Sequence, residues 1–417
     1  MELSPEWRLL LACARLNLTD EDCRLIRDLA RPDLDWDYIA KITCDHGVAP
    51  LIYRSFQKSG ITNLLTSSAG QTLRSFYYGN AARNALLFAE LHRMLMELRE
   101  LNIDIIALKG AAMAETVYSH KALRPMADID LLVRNPSLPV VERLLVQKGY
   151  RPDRNNEGWQ EHHYHLGFFK DACSTKIHFE IHWNIDYPNT LFKIDIEGMW
   201  ERTIRAKVAG VEVLVLSPED LLLHLCQHAC KHKLNGIRPL CDIRETIGYY
   251  EQRIDWGAIE PRSAEWRIKP QVYLTLRLAK ELLSADVPNS VLDAMEPPGF
   301  DDGLLDAARE RVLRYAKENV FQDNASMVFE FYSKCSGLKG TLAALTEPFT
   351  PDVMARRYWI PSASKKIYLY YPILLKDLCV RYFSVLWRVS HPHRRATAQA
   401  KRQHNNARLQ EWLASSR

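Results

Sequence analysis

Asp128, Ile129 and Asp130 form an Asp-x-Asp triplet inside the alternating stretch Ala127 to Val133, some 18 residues after the pair Lys109-Gly110. In an extended chain residues i and i+2 project to the same face, about 6.5–7 Å apart along the strand. Two carboxylates so placed repel each other when alone and become hard oxygen ligands when Mg²⁺ lies between them. Glu180 sits in a second alternating run, His178-Phe179-Glu180-Ile181-His182-Trp183, and supplies a third carboxylate that a neighbouring strand can bring to the first two. Gly110 closes a short apolar run and leads into a helix whose N-terminus can face a phosphate. These are the parts of a metal-dependent phosphoryl or nucleotidyl transfer site, in which cations neutralise a triphosphate and a carboxylate helps an acceptor hydroxyl lose its proton. Singly, each part has an ordinary structural explanation: a solvent-facing strand, a turn, a sheet edge. Their order along the chain carries the chemistry.

Further charged and imidazole groups surround these positions. Arg124, just before the acidic strand, suits either bidentate contact with phosphate oxygens or a salt bridge, for instance to Asp128. His178 and His182 share the face of Glu180 in a regular strand, where they either bond a ligand or pack on the sheet surface. His224, His228 and His232 recur every four residues along one stripe of a helix, with Cys226 and Cys230 about 160° around from it, so the five cannot close on one tetrahedral zinc.

The elements that must position these groups follow from periodicity. Residues 5–30 and 35–57 read as helices, and a longer one spans about 69–101, with Phe76, Leu87, Leu91, Met94 and Leu98 among its apolar positions. Ile103 to Leu108 is then a strand, Ala111 to about Ser119 an alanine-rich helix, Ala127 to Val133 a strand and 137–148 a helix. A loop at 152–161 precedes two strands, at 164–169 and 176–183. From Ser217 the chain turns helical again, with Ser217 as N-cap, Pro218 at the first helical position and Asp220 at the capping-box position. Helical blocks continue at 239–252, 270–284, 302–318 and 325–345. The stretch 348–366 is rich in turn residues, and 367–388 is aromatic and apolar.

Composition limits the function classes. The 417 residues carry 55 Lys and Arg against 51 Asp and Glu, a formal charge of +4, which excludes a strongly basic wrapper of nucleic acid. Seven of those basic residues and one Glu fall between Arg388 and the end, so the remainder is slightly acidic. The basic tail, with the aromatic segment before it, has two readings: an amphipathic membrane-surface element, or a packed helix followed by a solvated tail that can steer a polyanion. Nine scattered cysteines predict reduced thiols rather than a disulfide scaffold. The acidic N-terminus shows no signal-peptide pattern and no run is apolar enough to span a bilayer, so the expected location is cytoplasmic.

Several blocks together resemble the nucleotidyltransferase superfamily, and more narrowly the group catalogued as uncharacterised nucleotidyltransferases, related to minimal and aminoglycoside-type enzymes. The blocks are Leu108-Lys109-Gly110, Tyr118, Arg124-Pro125-Met126-Ala127-Asp128-Ile129-Asp130-Leu131-Leu132-Val133, Phe179-Glu180-Ile181-His182-Trp183, Ser217-Pro218-Glu219-Asp220-Leu221-Leu222, His228 and Leu240-Cys241-Asp242-Ile243. Asp35-Trp36 and His46-Gly47-Val48-Ala49-Pro50-Leu51 fit the same group. The resemblance implies an α+β protein, with a small mixed-sheet core at 101–215 flanked by a helical region at 1–100 and a helical domain at 216–345. The aromatic segment 346–388 and the basic tail 389–417 follow. It implies that Asp128, Asp130 and Glu180 hold two Mg²⁺ ions and act in catalysis, with Gly110, Lys109, Arg124 and His228 at the nucleotide and Asp242 orienting His228 or a nearby helix. Where the superfamily usually has Gly-Ser or Gly-Gly, this chain has Lys109-Gly110-Ala111, which leaves Lys109 either to supply the charge or to point away from the site. The implied activity is transfer of a nucleoside monophosphate, from ATP or another NTP, to a small-molecule, peptide, protein or RNA acceptor. The alternatives are a catalytically inactive binding or scaffold protein of the same fold, and a membrane- or RNA-associated factor that uses the basic C-terminus, with peripheral membrane contact through 367–417.

Overall fold

The computed structural model describes residues 3–118, 120–153, 163–172, 175–188 and 190–315, with isolated positions beyond. The expected helix at 325–345 lies outside the described residues, and so does nearly all of the chain from 346 onward. The chain divides into two compact units, one of residues 1–300, 311–315 and 416–417, the other of 301–310 and 316–415. Within the second, Arg408 pairs with Asp301.

The first unit opens with helices α1 (Pro5–Cys13), α2 (Asp20–Leu29), α3 (Trp36–Asp45), α4 (Ala49–Ser59) and α5 (Ser67–Glu100). Side-chain caps set several of these starts: Ser4 accepts from the Trp7 N–H, Thr19 and Asp22 close a capping box, and Thr66 accepts from the Ala69 N–H. The α5 helix is 34 residues long. Its first part packs against α3 and α4, and its second part covers the sheet with Leu87, Phe88, Leu91 and Leu95.

The sheet follows, with β1 (Ile105–Ala107), α6 (Lys109–Met113), β2 (Ile129–Val133), α7 (Leu138–Gln147), β3 (Arg151–Pro152), β4 (His165–Ala172), β5 (Thr175–His182), α8 (Ile196–Glu201), β6 (Ile204–Val208) and β7 (Val211–Val215). Its seven strands lie in the order β3-β4-β5-β2-β1-β7-β6. β2 is antiparallel to β1 and parallel to β5, and β1 is parallel to β7. Helices α9 (Pro218–Lys231), α10 (Arg238–Tyr250), α11 (Trp256–Glu265), α12 (Lys269–Leu283), α13 (Asn289–Met295) and α14 (Asp302–Leu313) complete the described elements. None of the described helices is long and apolar enough to cross a membrane.

Alternation decides which side chains form the core. Ile129, Leu131 and Val133 of β2 join Ile177, Phe179 and Ile181 of β5 in one cluster with α5 and α7. The intervening residues, Asp130 on β2 and His178, Glu180 and His182 on β5, therefore take the opposite face.

Two local expectations are corrected, and one element is added. The acidic strand begins at Ile129, so Asp128 lies just before it in a bend. The helix after Lys109 ends at Met113 instead of about Ser119. There Thr116 bonds back to the Ala112 carbonyl at 2.9 Å and the Tyr118 N–H reaches the Met113 carbonyl at 2.8 Å, which closes the turn. The hairpin β6–β7 was not expected. Its turn places Ala209 at φ 51° and Gly210 at φ 77°, the conformation usually signalled by Asn-Gly, and alanine hides that signal. Long-range contacts hold the strained alanine: its N–H donates to the Glu115 carboxylate and its carbonyl lies 2.8 Å from His92 Nδ1.

Candidate active site

Parallel pairing of β2 with β5 sets Asp130 directly opposite Glu180. Ligand atoms of Asp128, His178 and Glu180 lie within 4.8 Å of one another, as do those of Asp130, Glu180 and His182. The three carboxylates expected from the sequence thus meet as two overlapping donor groups that share Glu180. Carboxylate oxygens suit Mg²⁺ or Mn²⁺, and the imidazole in each group widens the choice toward other transition metals. The residues present fit a divalent cation.

The carboxyls at 128 and 130 are driven in opposite directions. Burial and the charges of Asp130 and Glu180 push Asp128 up to about 6. Burial also works against ionising Asp130, but Lys109 and His182 outweigh it and hold Asp130 well below the usual carboxylate range. Lys109 Nζ lies 3.0 Å from Asp130 Oδ1, and His182 Nε2 lies 3.0 Å from the same oxygen and 3.4 Å from Glu180 Oε2. Burial opposes the protonated form of His182, yet its bonds to Asp130 and Glu180 raise its pKa. Glu180, disfavoured as an anion by burial, ends below its ordinary value through the same hydrogen bond. Asp130 is therefore held in its ionised form, whereas Asp128 loses its proton only as pH rises through about 6, at a cost to the folded chain that a bound cation would offset.

Lys109 enters α6 at φ 36°, a left-handed conformation that costs a residue with a side chain on the order of 1–3 kcal/mol. That conformation accompanies its ion pair with Asp130. Gly110 is buried, and a Cβ there would lie 2.6 Å from Arg124 Nη1 and 3.1 Å from Met126 Cγ. Since α6 has five residues, Gly110 serves close packing under Arg124 rather than a long helix N-terminus. Arg124 cannot easily yield, because Nε and Nη2 bond Asp242 at 2.9 and 2.8 Å. Gly110→Ala is accordingly expected to destabilise the chain by about 1–3 kcal/mol, read from a denaturant melt. An unchanged midpoint would contradict this packing.

Arg124 thus pairs with Asp242 and not with Asp128, and Tyr118 OH donates to the same carboxylate at 2.9 Å. Asp242, expected to orient His228 or a nearby helix, is tied by its hydrogen bonds with Arg124 and Tyr118 to the segment before the acidic strand. On α9, the His224 and His228 rings lie 6.0 Å apart, and those of His228 and His232 4.3 Å. Burial, then the charge of Lys109, lowers the pKa of all three, so the stripe presents neutral imidazoles near the carboxylate face. The cysteines turn toward α12, with Cys230 Sγ 3.9 Å from the Gln271 carbonyl.

Sequence reasoning missed several neighbours. His165 Nε2 lies 4.0 Å from Glu180 Oε2, and Asp153 bonds His178 Nε2 at 2.7 Å over the bare Gly167. Lys231 Nζ sits 3.7 Å from the centre of the Tyr164 ring and 3.1 Å from Asp186 Oδ1. The alternation of β4 was the available signal for His165 and Gly167; the partners of Lys231 had none.

An α+β core with acid-bearing strands side by side and helices flanking it defines a nucleotidyltransferase class of protein. The family model described as uncharacterised nucleotidyltransferase matches residues 32–284, and the chain belongs to that family. No curated protein matches it. Among solved structures, a solution structure of the antibiotic-resistance factor ANT(2'')-Ia is similar at 17% identity and a TM-score of 0.31, over 43% of this chain and 91% of that one. A crystal structure of ANT(2'')-Ia in complex with adenylyl-2''-tobramycin gives 17%, 0.31, 43% and 96% in the same terms. An antigenic nucleotidyltransferase-like protein from Paracoccidioides brasiliensis gives 13%, 0.32, 50% and 96%. At these values the neighbours carry no argument about what this chain binds or modifies.

Proposed function

We propose that the chain transfers a nucleoside monophosphate, AMP from ATP being the first choice, to an acceptor hydroxyl with release of pyrophosphate, in a reaction that depends on divalent metal. The observation that carries this reading is the meeting of Asp128, Asp130 and Glu180 at the paired ends of β2 and β5. In the reaction the acceptor oxygen forms a bond to the α-phosphorus, the bond from that phosphorus to the bridging oxygen breaks, and pyrophosphate leaves. The acceptor proton passes to a carboxylate, and Glu180 is assigned either to that step or to completing the metal site. Asp128, Asp130 and Glu180 would hold Mg²⁺, two ions in the full site, which supplies charge neutralisation of the triphosphate. Lys109 and His182 keep Asp130 ionised and fixed in place. His228, with its neutral ring, is assigned to the nucleotide side of the site.

One observation favours a second reading, a binding protein that retains the fold: the Lys109 ammonium already neutralises Asp130. Nucleotides labelled at the α-phosphate, incubated with Mg²⁺, the chain and fractionated lysate, separate the two. Transfer is expected with the wild type and not with an Asp128→Asn, Asp130→Asn double variant. Label transferred equally by both would remove the carboxylates from the chemistry, and no transfer by a folded wild type would favour the binding protein.

A further inference from the structure

Asp128 precedes the first residue of β2, so sheet hydrogen bonds begin only after it. The chain that delivers it, residues 120–127, consists of turns and irregular backbone. Backbone carbonyls in such a segment need donors, and three side chains of α5 supply them. Asn84 Nδ2 donates to the carbonyls of Lys121 and Arg124, at 2.5 and 2.9 Å. Asn80 Nδ2 donates to the Ala122 carbonyl at 2.6 Å. Arg83 Nε and Nη2 donate to the carbonyls of Met126 and Ala127, at 3.1 and 2.9 Å. Positions 80, 83 and 84 share one face of the helix. Five carbonyls of one short segment are thereby received by one helix face, and the last of the five belongs to the peptide that enters Asp128.

We propose that Asn80, Arg83 and Asn84 are positioning residues of the carboxylate site, with Arg83 fixing the backbone that carries Asp128. The inference rests on the metal-dependent reading above and adds a support that no carboxylate motif contains. Asn84 is fully buried and also holds the fold of the turn. Arg83 is only partly buried, and its two bonds fall on the peptides nearest Asp128. A planar guanidinium can serve both carbonyls at once, which a lysine ammonium on a flexible stem does less well. Displacing a ligand's backbone changes the distance between Asp128 and Glu180, and residues that orient ligands typically contribute about 10–100-fold to metal affinity.

The test uses the full chain as wild type, Arg83→Met and Arg83→Lys, with Mn²⁺ as the probe. Two quantities are measured: Mn²⁺ affinity by calorimetry, and amide hydrogen exchange of the metal-free chain resolved over residues 120–131. Arg83→Met is expected to weaken Mn²⁺ binding about 10-fold or more. It is also expected to speed exchange in 120–131 while β4, β5 and α9 keep wild-type protection, with Arg83→Lys intermediate in both. Exchange in 120–131 that matches the wild type overturns the proposal, as does a loosened segment with Mn²⁺ affinity within about twofold of wild type. Exchange that rises throughout the unit makes Arg83 a general stabiliser and equally overturns it. A wild type that binds no Mn²⁺ defeats the metal reading itself; exchange of 120–131 then decides the tether alone.

Discussion

Asp128→Asn is expected to remove nucleotidyl transfer and, in metal-free buffer above pH 7, to make the chain more stable. Burial, with Asp130 and Glu180 nearby, raises the Asp128 carboxyl to about 6, above its unfolded value. A carboxyl that binds its proton more tightly in the folded state contributes less to stability as pH rises from the unfolded value through about 6, and the loss is complete above that. The amide cannot ionise and escapes the cost, so the variant should gain about 1–3 kcal/mol above pH 7. The gain should fade toward pH 4, where the wild-type carboxyl is protonated in the folded chain. Transfer should fall on the order of 10²–10³-fold, the usual loss when a charge aimed at the transition state is removed. Urea melts in chelator at several pH values, beside transfer of α-labelled nucleotide, read both. Added Mg²⁺ or Mn²⁺ should narrow the stability difference, because a cation relieves the repulsion that the amide removed. A variant that loses transfer and stability together at every pH would mean Asp128 is held by partners other than those described.

The second large effect lies under the site. Asp242→Asn is expected to destabilise the chain by about 3–5 kcal/mol, because the Arg124 guanidinium is left buried without its counter-charge. Burial, then the Asp242 charge, pushes the Tyr118 hydroxyl well above its ordinary pKa, so Tyr118 remains a neutral donor and cannot compensate. Arg124→Met should cost a similar amount by stranding Asp242 instead. The double variant Arg124→Met, Asp242→Leu should recover much of either loss, since an apolar pair of similar volume often replaces a buried ion pair with little penalty. Strictly additive single losses in a denaturant cycle would show that the two residues do not act as a pair. Because Arg124 Nη1 also faces Gly110, the double variant should tolerate Gly110→Ala better than the wild type does.

Both effects show how one helix-strand core carries opposing demands. Asp128, raised in pKa by burial and by two neighbouring anions, costs the folded chain stability when it ionises, a cost that the proposed cation would offset. Arg124 and Asp242, equally charged, satisfy each other at 2.8 Å and serve the fold. Residue type does not separate the two cases; partnership does.

What the sequence determined by itself was the local alternation and its chemistry. Ile-Asp-Leu-Leu-Val and His-Phe-Glu-Ile-His are strands because apolar residues recur at every second position, and that period puts Asp130, Glu180 and His182 on the face away from the core. The cap at Ser217 and the long helix before β1 were legible for the same reason, each being fixed by residues a few positions apart. Only the tertiary structure decided the parallel register that sets Asp130 against Glu180, the choice of Asp242 as partner of Arg124 118 positions away, and the seat of Lys109 on Asp130. It alone brought Asn80, Arg83 and Asn84 to the carbonyls ahead of Asp128. The physical reason is one of range. A side-chain period reports which face a residue takes, because that is settled within one or two turns of backbone. Which distant charge or carbonyl meets that face depends on how whole elements pack, and many carboxylates along the chain offer an arginine the same chemistry until packing brings one of them within hydrogen-bonding distance.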